Sequence, residues 1–528
     1  MEKLYLSQNV MVEPLINQWY AWPYLVPPVT CSMYIANLHV KTMQSFLAAP
    51  QAHIAALKNP AMAGGPFIHY DESRVGEVKS LLDRTMKEQA HMLKLAAAIK
   101  ELDEILSNEA VGYSLEPIYK RVPDVLKGYV ELVYDLNNRP SFRLIEGLIY
   151  KSSYYRRTSQ TVALSLINDD SRVFAFSSPK LEDEGWLHLS APFDHEGIDE
   201  LFKMKNTPQS LDYIEEALGV EARDSKRFST FFTAQSPPRP TRYEGEGVRL
   251  RYFGHACVLI ESKEVSILID PVISYENKAG IPRYIYADLP ERLDYVLITH
   301  NHQDHCVFEA LLQLRHKIRN VIVPKCLGGN LADPCLKAIF QNIGFTSVIE
   351  IDEMESIEID GGSIIGVPFL GEHGDLNIRT KIAHLVQVAG KSILLAADSN
   401  NIETKLYEHI YEFVGNVDVI FLGMECVGGP MTWLYGPLLT KPLSRKMDQS
   451  RRFDGSNCER ALELITQINP GQVYIYAMGQ EPWLTFLTAL QYTEDSQQLV
   501  ESNRLINISK NRSLIAERLF GQKEIFLN

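Results

Sequence analysis

Residues 300–305 hold a dense group of side chains that can bind metal: His300, His302, Asp304 and His305. His300 and His302 are one residue apart and can converge on one cation, while Asp304 and His305 can turn toward a second. Buried histidine needs partners and aspartate is seldom buried unpaired, so a core arrangement explains this group poorly. The spacing therefore predicts a metal site that holds two metals.

The flanking residues predict the elements that position this group. Residues 293–299 form an apolar run typical of a buried strand. After the motif, Phe308, Leu311, Leu312 and Ile318 recur at roughly helical spacing. The metal-binding side chains are thus expected in a strand-to-helix loop at the carboxyl end of a strand, where open α/β sheets usually place their sites.

The motif resembles the signature of the metallo-β-lactamase fold, and residues 249–260 and 265–271 are similar to that fold's opening strands. The resemblance places Asp270 where an aspartate orients a histidine ligand; a turn before Pro271 is the alternative. It also places Asp398, after the apolar residues 392–397, where the family keeps a metal-bridging aspartate; a cap is the alternative. The fold implied is an α/β αββα sandwich.

Two departures from the zinc hydrolases of this fold bear on function. Glu372 and His373 compete for one ligand position, and no histidine follows His409, so the late histidine ligand of the hydrolases is missing. With Glu372 as the ligand, the metal-binding set becomes His300, His302, Asp304, His305, Glu372 and Asp398. Three histidines with three carboxylates suit iron or manganese better than a nitrogen-rich zinc site, although spacing alone does not separate iron from zinc.

Residues 371–376, the missing late histidine and the long N-terminal region together resemble the diiron β-hydroxylases of nonribosomal peptide biosynthesis. The resemblance implies that Glu372 binds iron and that His373 lies just outside the ligand set. Glu425, after the apolar residues 419–424, is a further candidate catalytic carboxylate beside Glu372 and Asp398; a solvated acid at a strand end is the alternative. No flavin or nicotinamide fingerprint is present in the C-terminal part.

The same resemblance implies a reaction and its partners. The expected cofactor is a pair of iron ions with O₂ as co-substrate, and the electrons would come from a separate reductase. The expected substrate is an amino acid bound as a thioester to the phosphopantetheine of a nonribosomal peptide synthetase carrier domain. The expected assembly is a homodimer. The alternative function is a zinc hydrolase of the same fold, a lactonase or a phosphodiesterase.

The length of 528 residues exceeds one ordinary core, so two domains are expected. Clustered Pro, Ser and Gly predict a linker over residues 233–247, between a mixed α+β domain (1–232) and a catalytic domain (248–528). In the first domain we predict a strand over 129–134, a helix over 75–108 and a helix over 211–218 that ends at Gly219. The resemblance assigns dimerisation and carrier docking to this domain.

Charge and cysteine content narrow the classes of partner. Lys plus Arg total 52 against 66 Asp plus Glu, and a net charge of −14 argues against nucleic acid. No apolar run reaches membrane-spanning length, and residues 1–30 lack a signal-peptide pattern. Seven cysteines without framework spacing predict reduced thiols in the cytoplasm. Cys257 and Cys306 follow histidines closely, and we interpret them as small core residues.

Overall fold

The computed structural model describes residues 2–238 and 242–528. In its N-terminal region the strands are β1 (Tyr5–Leu6), β2 (Val10–Ile16), β3 (Trp19–Tyr20), β4 (Val130–Tyr134), β5 (Pro140–Leu144), β6 (Gln160–Leu166), β7 (Leu187–Leu189) and β8 (Phe232–Thr233). The helices are α1 (Pro28–Tyr34), α2 (Val40–Ala48), α3 (Pro50–Leu57), α4 (Val75–Glu88), α5 (Ala90–Glu109), α6 (Glu146–Ile149), α7 (Glu196–Lys203), α8 (Leu211–Leu218) and α9 (Ser225–Phe228), with a π-helical turn, Ile35–His39, between α1 and α2.

The N-terminal region is mixed α+β. Its antiparallel sheet has the order β3-β2-β6-β7, and β4 pairs with β5 and β1 with β8. Two sequence predictions are confirmed: β4 begins one residue inside the predicted strand, and α8 spans Leu211–Leu218. Ser210 accepts a hydrogen bond from the Tyr213 N–H at the start of α8, and Gly219 ends the helix at φ 64°.

The single helix predicted over residues 75–108 is wrong, because the structure breaks it at Gln89 into α4 and α5. The Arg156 guanidinium donates a hydrogen bond to the carbonyl oxygen of Glu88 at 3.3 Å, which satisfies an acceptor near the break. Met86, an apolar residue within the predicted helix, is exposed. The apolar periodicity of residues 75–108 depends only on neighbours in the chain and cannot reveal a contact from Arg156. The sequence therefore predicted one continuous helix across Gln89.

The C-terminal strands are β9 (Val248–Gly254), β10 (Cys257–Glu261), β11 (Ser266–Ile269), β12 (Leu293–Leu297), β13 (Ile318–Pro324), β14 (Val348–Ile351), β15 (Ser356–Ile359), β16 (Gly362–Val367), β17 (Ala383–Val388), β18 (Lys391–Leu395), β19 (Val419–Gly423), β20 (Gln472–Tyr476), β21 (Ile515–Arg518) and β22 (Lys523–Leu527). The helices are α10 (Phe308–Leu314), α11 (Leu336–Asn342), α12 (Thr404–Val414), α13 (Thr432–Tyr435), α14 (Arg445–Ser450), α15 (Cys458–Ile468), α16 (Thr485–Thr488) and α17 (Gln497–Asn511). The helix predicted after the metal motif is present as α10, but Ile318 begins β13 instead of extending it.

Two seven-stranded sheets form the expected αββα sandwich. Their orders are β14-β13-β12-β11-β10-β9-β22 and β15-β16-β17-β18-β19-β20-β21. Residues such as Ile260, Ile267, Val386 and Phe421 pack between the sheets, while α12, α15 and α17 cover the second sheet. Strands β11 to β14 and β18 to β21 are parallel. Parallel strands are buried on both faces, which accounts for their continuous apolar runs.

The outer face of the first sheet packs against α10, α11 and the N-terminal region in one apolar core. Cys257 and Cys306 are buried there, as predicted. The division into domains at residues 232 and 248 stays a prediction, and residues 239–241 of the predicted linker lie outside the described residues. Throughout residues 2–238 and 242–528, each helix is too short or too polar to span a lipid bilayer.

Candidate metal centre

The candidate side chains meet at one edge of the sandwich. They follow the carboxyl ends of β9 (His255), β11 (Asp270), β12 (residues 300–305), β16 (Glu372), β18 (Asp398) and β19 (Glu425). These strands run in one direction within each sheet, since the antiparallel partners alternate with them. Side chains far apart in sequence are thereby collected at the edge where α/β folds place their sites.

His300, His302 and Glu372 form a first cluster, with one potential ligand atom from each within 4.8 Å of the others. His302 Nδ1 lies 3.0 Å from Glu372 Oε1, and His300 Nε2 lies 3.8 Å from Glu372 Oε2. Asp398 Oδ2 is 3.9 Å from His300 Nε2 and 3.0 Å from His305 Nε2. Asp398 therefore stands between this cluster and the next.

Asp304 and His305 form a second cluster with a residue that the sequence analysis did not select, His255. His255 Nε2 lies 3.3 Å from Asp304 Oδ2, and the His255 and His305 ring centroids are 4.8 Å apart. His255 sits in the β9–β10 hairpin beside a register shift at Cys257 and Val258. Irregularities of this kind often re-aim a side chain next to an active site.

The donor atoms of the two clusters fit metal ions because many of them are buried without a hydrogen bond. His300 Nε2, His305 Nε2, both ring nitrogens of His255, Glu372 Oε2 and Asp398 Oδ1 are in this condition. Buried polar atoms are rarely left without a partner. Burial and the neighbouring rings of His305 and His302 lower the pKa of His300, which favours the neutral form that binds metal.

Burial and the nearby histidines shift the pKa values of the carboxylates in the clusters. Burial raises the pKa of Glu372 to about 7, and it outweighs the nearby His302. Burial alone would raise the pKa of Asp304, but the nearby His255 and His305 rings lower it. The two clusters thus combine imidazole nitrogens with carboxylate oxygens, a set of ligand types that iron accepts.

Neighbouring side chains orient the histidine rings of the two clusters. The fully buried Asp270 accepts a hydrogen bond from His305 Nδ1 at 2.8 Å, which turns His305 Nε2 toward Asp398. Asp270 is itself fixed by the Thr299 N–H at 2.8 Å and the Thr299 hydroxyl at 2.6 Å. The Tyr435 hydroxyl lies 3.0 Å from His302 Nε2, which leaves Nδ1 facing Glu372.

Glu372 and His373 take different places in the structure. Glu372 belongs to the first cluster, whereas His373 does not. The His373 ring stacks on His302 with centroids 4.4 Å apart, and its Nδ1 lies 3.1 Å from Glu372 Oε2. This geometry supports the predicted assignment of Glu372 as a ligand and His373 as its neighbour, which stays a prediction.

Glu425 lies outside both clusters but lines the same cavity, a space of about 280 Å³ that also borders His302, Asp398 and His255. Its carboxylate accepts hydrogen bonds from the Gln498 side chain and the Gly428 N–H. Burial raises the pKa of Glu425. The structure therefore places this carboxylate in the cavity wall at a fixed orientation, and a catalytic role for it stays a prediction.

Backbone strain concentrates at this edge. Residues other than glycine with left-handed φ values here include His255 (52°), Asp270 (39°), Glu372 (64°), Ala397 (48°) and Ala477 (53°). Such conformations are costly for residues with a Cβ and persist where the surroundings impose them, often at functional sites. Three of these residues, His255, Asp270 and Glu372, have side chains in the site, and Ala397 directly precedes Asp398.

The sequence offered only a weak signal for His255. It is a single histidine in the turn Gly254-His255-Ala256 after an apolar strand, about 45 residues before the main motif. Its position became meaningful only when β9 and β12 were brought to the same edge. The rule that histidines after strand ends deserve inspection would have found it.

The fold is that of a metallo-β-lactamase-fold protein, and its two clusters of potential ligands form a candidate site for two metals. Two family models match the chain: the diiron non-heme beta-hydroxylase N-terminal domain over residues 5–237, and a beta-lactamase superfamily domain over residues 266–475. The second match falls within the sandwich, and the first within the N-terminal region.

Similarity also extends over the whole length. The 4-amino-L-phenylalanyl-[CmlP-peptidyl-carrier-protein] 3-hydroxylase of Streptomyces venezuelae is 38% identical over 530 residues, 99% of each chain. The crystal structure of CmlA, a diiron beta-hydroxylase from Streptomyces venezuelae, superposes with a TM-score of 0.92 at 36% identity and covers 100% of both chains. The present chain belongs to the diiron non-heme β-hydroxylase family. It is an iron-binding hydroxylase, and the alternative of a zinc hydrolase is not favoured.

Proposed function

We propose that the protein β-hydroxylates an amino acid held as a thioester on a carrier domain of a nonribosomal peptide synthetase. The observation that carries the proposal is the full-length similarity to a relative whose name describes 3-hydroxylation of an aminoacyl group on a peptidyl carrier protein. The agreement includes the N-terminal region, which lacks a ligand to either metal cluster among the described residues. A region that is shared with that relative and contributes no residue to either cluster suits carrier docking.

We propose that His300, His302 and Glu372 hold one iron and that Asp304, His305 and His255 hold the other, with Asp398 between them. The distances within each cluster and the buried donor atoms without hydrogen bonds support this assignment. His255 takes the place of the late histidine that the chain lacks. Each iron would then receive two imidazoles and two carboxylates, counting Asp398 for both.

When bound, such an iron pair supplies oxidising chemistry that replaces a C–H bond with C–OH. The overall reaction balances as R–H plus O₂, two electrons and two protons, giving R–OH and water. Asp270 holds the His305 ring, and Tyr435 holds the His302 ring, so that the nitrogens facing the cluster stay fixed. The walls of the cavity position the substrate and limit the access of water.

Several partners belong to this proposal as well. The electrons are expected from a separate reductase and the oxidant is expected to be O₂. The homodimer and the cytoplasmic location stay predictions. Tethering has a physical reason: a small amino acid offers little binding energy away from the reacting carbon, and a carrier domain with its phosphopantetheine adds a large second contact.

A single-turnover experiment tests the proposal. Chemically reduced enzyme is mixed with O₂ and either free or carrier-loaded phenylalanine and 4-aminophenylalanine, and the products are analysed by mass spectrometry. We expect a gain of one oxygen on the carrier-loaded amino acid and little on the free one. Failure to hydroxylate any carrier-loaded amino acid would contradict the proposed function; equal hydroxylation of free and loaded forms would contradict tethering alone.

The adjacent residues Glu372 and His373 test the ligand assignment. Glu372→Ala should reduce the iron content from about two to about one per chain, because it removes an anionic ligand. His373→Ala should retain both irons with an affinity loss of about tenfold to a hundredfold, typical of residues that orient a ligand. Iron content and Mössbauer spectra measure both. The opposite result, with iron lost only in His373→Ala, would show that the ligand assignment is wrong.

A further inference from the structure

A second cavity, of about 320 Å³, lies beside the metal cavity and is rich in aromatic side chains. We call it the aromatic cavity and define it by Trp19, Trp22, Tyr34, Phe174, Phe176 and Trp433. Its size falls within the range of small-molecule sites, about 300–1,000 Å³. The N-terminal region supplies five of these rings, and the C-terminal region supplies Trp433.

The aromatic cavity adjoins the metal cavity through a common wall. Gly64, Gln303, Pro430, Trp433 and Leu434 line both. Gln303 lies between two predicted iron ligands in the chain, His302 and Asp304. A group in the aromatic cavity would thus lie next to the metal centre, within reach of a substrate whose reacting carbon is at the irons.

Several polar atoms of the cavity lining are engaged within the protein, whereas Trp19 Nε1, His39 Nδ1 and Gln303 Oε1 are buried without a hydrogen-bond partner among the described residues. The Tyr20 hydroxyl donates to Glu309 at 3.0 Å, the Tyr34 hydroxyl donates to the Leu434 carbonyl oxygen, and Trp433 Nε1 donates to the Gly64 carbonyl oxygen at 3.0 Å. What the rings present to the cavity is therefore largely their apolar faces and edges. Aromatic groups pack favourably against such surfaces in stacked or edge-to-face arrangements.

The described lining of the aromatic cavity has no charged side chain that could pair with a charged substrate. Among the described residues that line it, none is Asp, Glu, Lys or Arg. His39, which stacks on Trp19 at 4.0 Å between centroids, is buried, and burial lowers its pKa to about 3. A charged side chain placed here would lose its hydration without gaining an ion pair, which is costly.

The backbone beside the aromatic cavity independently indicates a functional site. Leu38 and His39 line the cavity from the π-helical turn Ile35–His39, in which the Val40 N–H donates to the Ile35 carbonyl oxygen five residues earlier. Such turns are rare and are frequent at functional sites. Here the turn presents two consecutive side chains to the cavity.

We propose that the aromatic cavity is the subsite for the side chain of the tethered amino acid and that this side chain is uncharged and aromatic. The inference rests on the proposed function and adds the substrate class to it. The aromatic lining without a charged side chain supports this occupant. The phosphopantetheine arm is the competing occupant, and the second test below distinguishes it from the side chain.

The first test measures affinity without turnover. Carrier domain is loaded through a stable amide linkage with phenylalanyl-, leucyl-, alanyl- or aspartyl-pantetheine and titrated into the iron-loaded enzyme without O₂. We expect phenylalanyl carrier to bind at least about tenfold more tightly than alanyl or aspartyl carrier, the gain typical of burying one aromatic side chain. Equal affinities for the four probes, or tightest binding of the aspartyl probe, would overturn the proposal.

The second test locates the preference in this cavity with a matched pair of variants. Leu38→Phe adds volume at the cavity wall, whereas Leu47→Phe makes the same change at another half-buried leucine that packs against the same core but does not line the cavity. We expect Leu38→Phe to weaken phenylalanyl carrier about tenfold while alanyl carrier stays within about twofold. Leu47→Phe should change neither.

Equal weakening of both probes by Leu38→Phe would place the phosphopantetheine arm in the aromatic cavity and overturn the proposal. If Leu38→Phe is poorly folded by circular dichroism, Phe176→Ala takes its place; it should weaken the phenylalanyl probe selectively because an aromatic neighbour is lost. Measuring hydroxylation distinguishes a failure of the side-chain subsite from a failure of the proposed function. Turnover of alanyl and aspartyl carriers as fast as phenylalanyl carrier would refute the side-chain subsite while leaving the proposed function intact.

Discussion

The interface between the N-terminal region and the metal-bearing sandwich contains a buried charge cluster whose central residue is Arg172. Arg172 Nη2 lies 2.7 Å from Glu13 Oε1 on β2 and 2.8 Å from Glu309 Oε2 on α10, the helix that follows the metal motif. The side chains of the three residues are only 9%, 4% and 5% exposed. Arg172 also lies over the Phe486 ring, 3.3 Å from its centroid.

We predict that Arg172→Met lowers the free energy of unfolding by about 3–5 kcal/mol, the usual cost of breaking a buried ion pair. Glu13 would keep Lys180, whose Nζ is 2.8 Å away, but Glu309 would keep only the Tyr20 and Tyr275 hydroxyls at 3.0 and 2.7 Å. The cost therefore arises mainly from one unpaired buried carboxylate. The lost contact with Phe486 adds up to about 2 kcal/mol.

Urea unfolding followed by tryptophan fluorescence measures this difference. Arg143→Met is the control, because Arg143 pairs with Glu131 at 2.6 Å with both side chains about half exposed, and such pairs contribute about 1 kcal/mol or less. Adding Glu309→Gln to Arg172→Met should recover part of the loss, since it removes the unpaired charge. A cost for Arg172→Met no larger than that for Arg143→Met would refute the reasoning.

Three further predictions concern other residues. His255→Ala should lower the iron content to about one per chain, whereas His188→Ala, which alters a histidine outside both clusters, should leave about two; iron analysis decides. Gly423→Ala should disturb Asp398 and reduce iron binding without unfolding the protein, because an added Cβ would lie 2.7 Å from Asp398 Oδ1; Gly147→Ala, with open space around it, is the control. Burial, with Lys317 nearby, lowers the pKa of Lys205 to about 7. Since the unfolded side chain titrates near 10.5, wild-type stability should fall by up to about 1.4 kcal/mol per unit as pH drops from about 10 to 7, and Lys205→Met should remove that slope in urea unfolding at several pH values.

The sequence by itself determined the elements that carry the strongest local patterns. The apolar run at residues 293–299 predicted a buried strand, which the structure contains as β12. The dense group at 300–305 predicted a metal site at the end of that strand. Ser210 and Gly219 carry the local hydrogen bond and backbone conformation that bound α8. Such signals depend on neighbours in the chain, so they are visible before folding.

Tertiary structure decided what depends on distant parts of the chain. The break at Gln89 coincides with a contact from Arg156. The place of His255 depends on β9 pairing with β10 in the same sheet as β11 and β12. Only the structure shows that Glu372, with its left-handed backbone, lies in the first cluster while the adjacent His373 does not; its role as a ligand stays a prediction. The aromatic cavity joins residues 19 and 433. These features require strand order and side-chain direction, which arise only when the sheets pack.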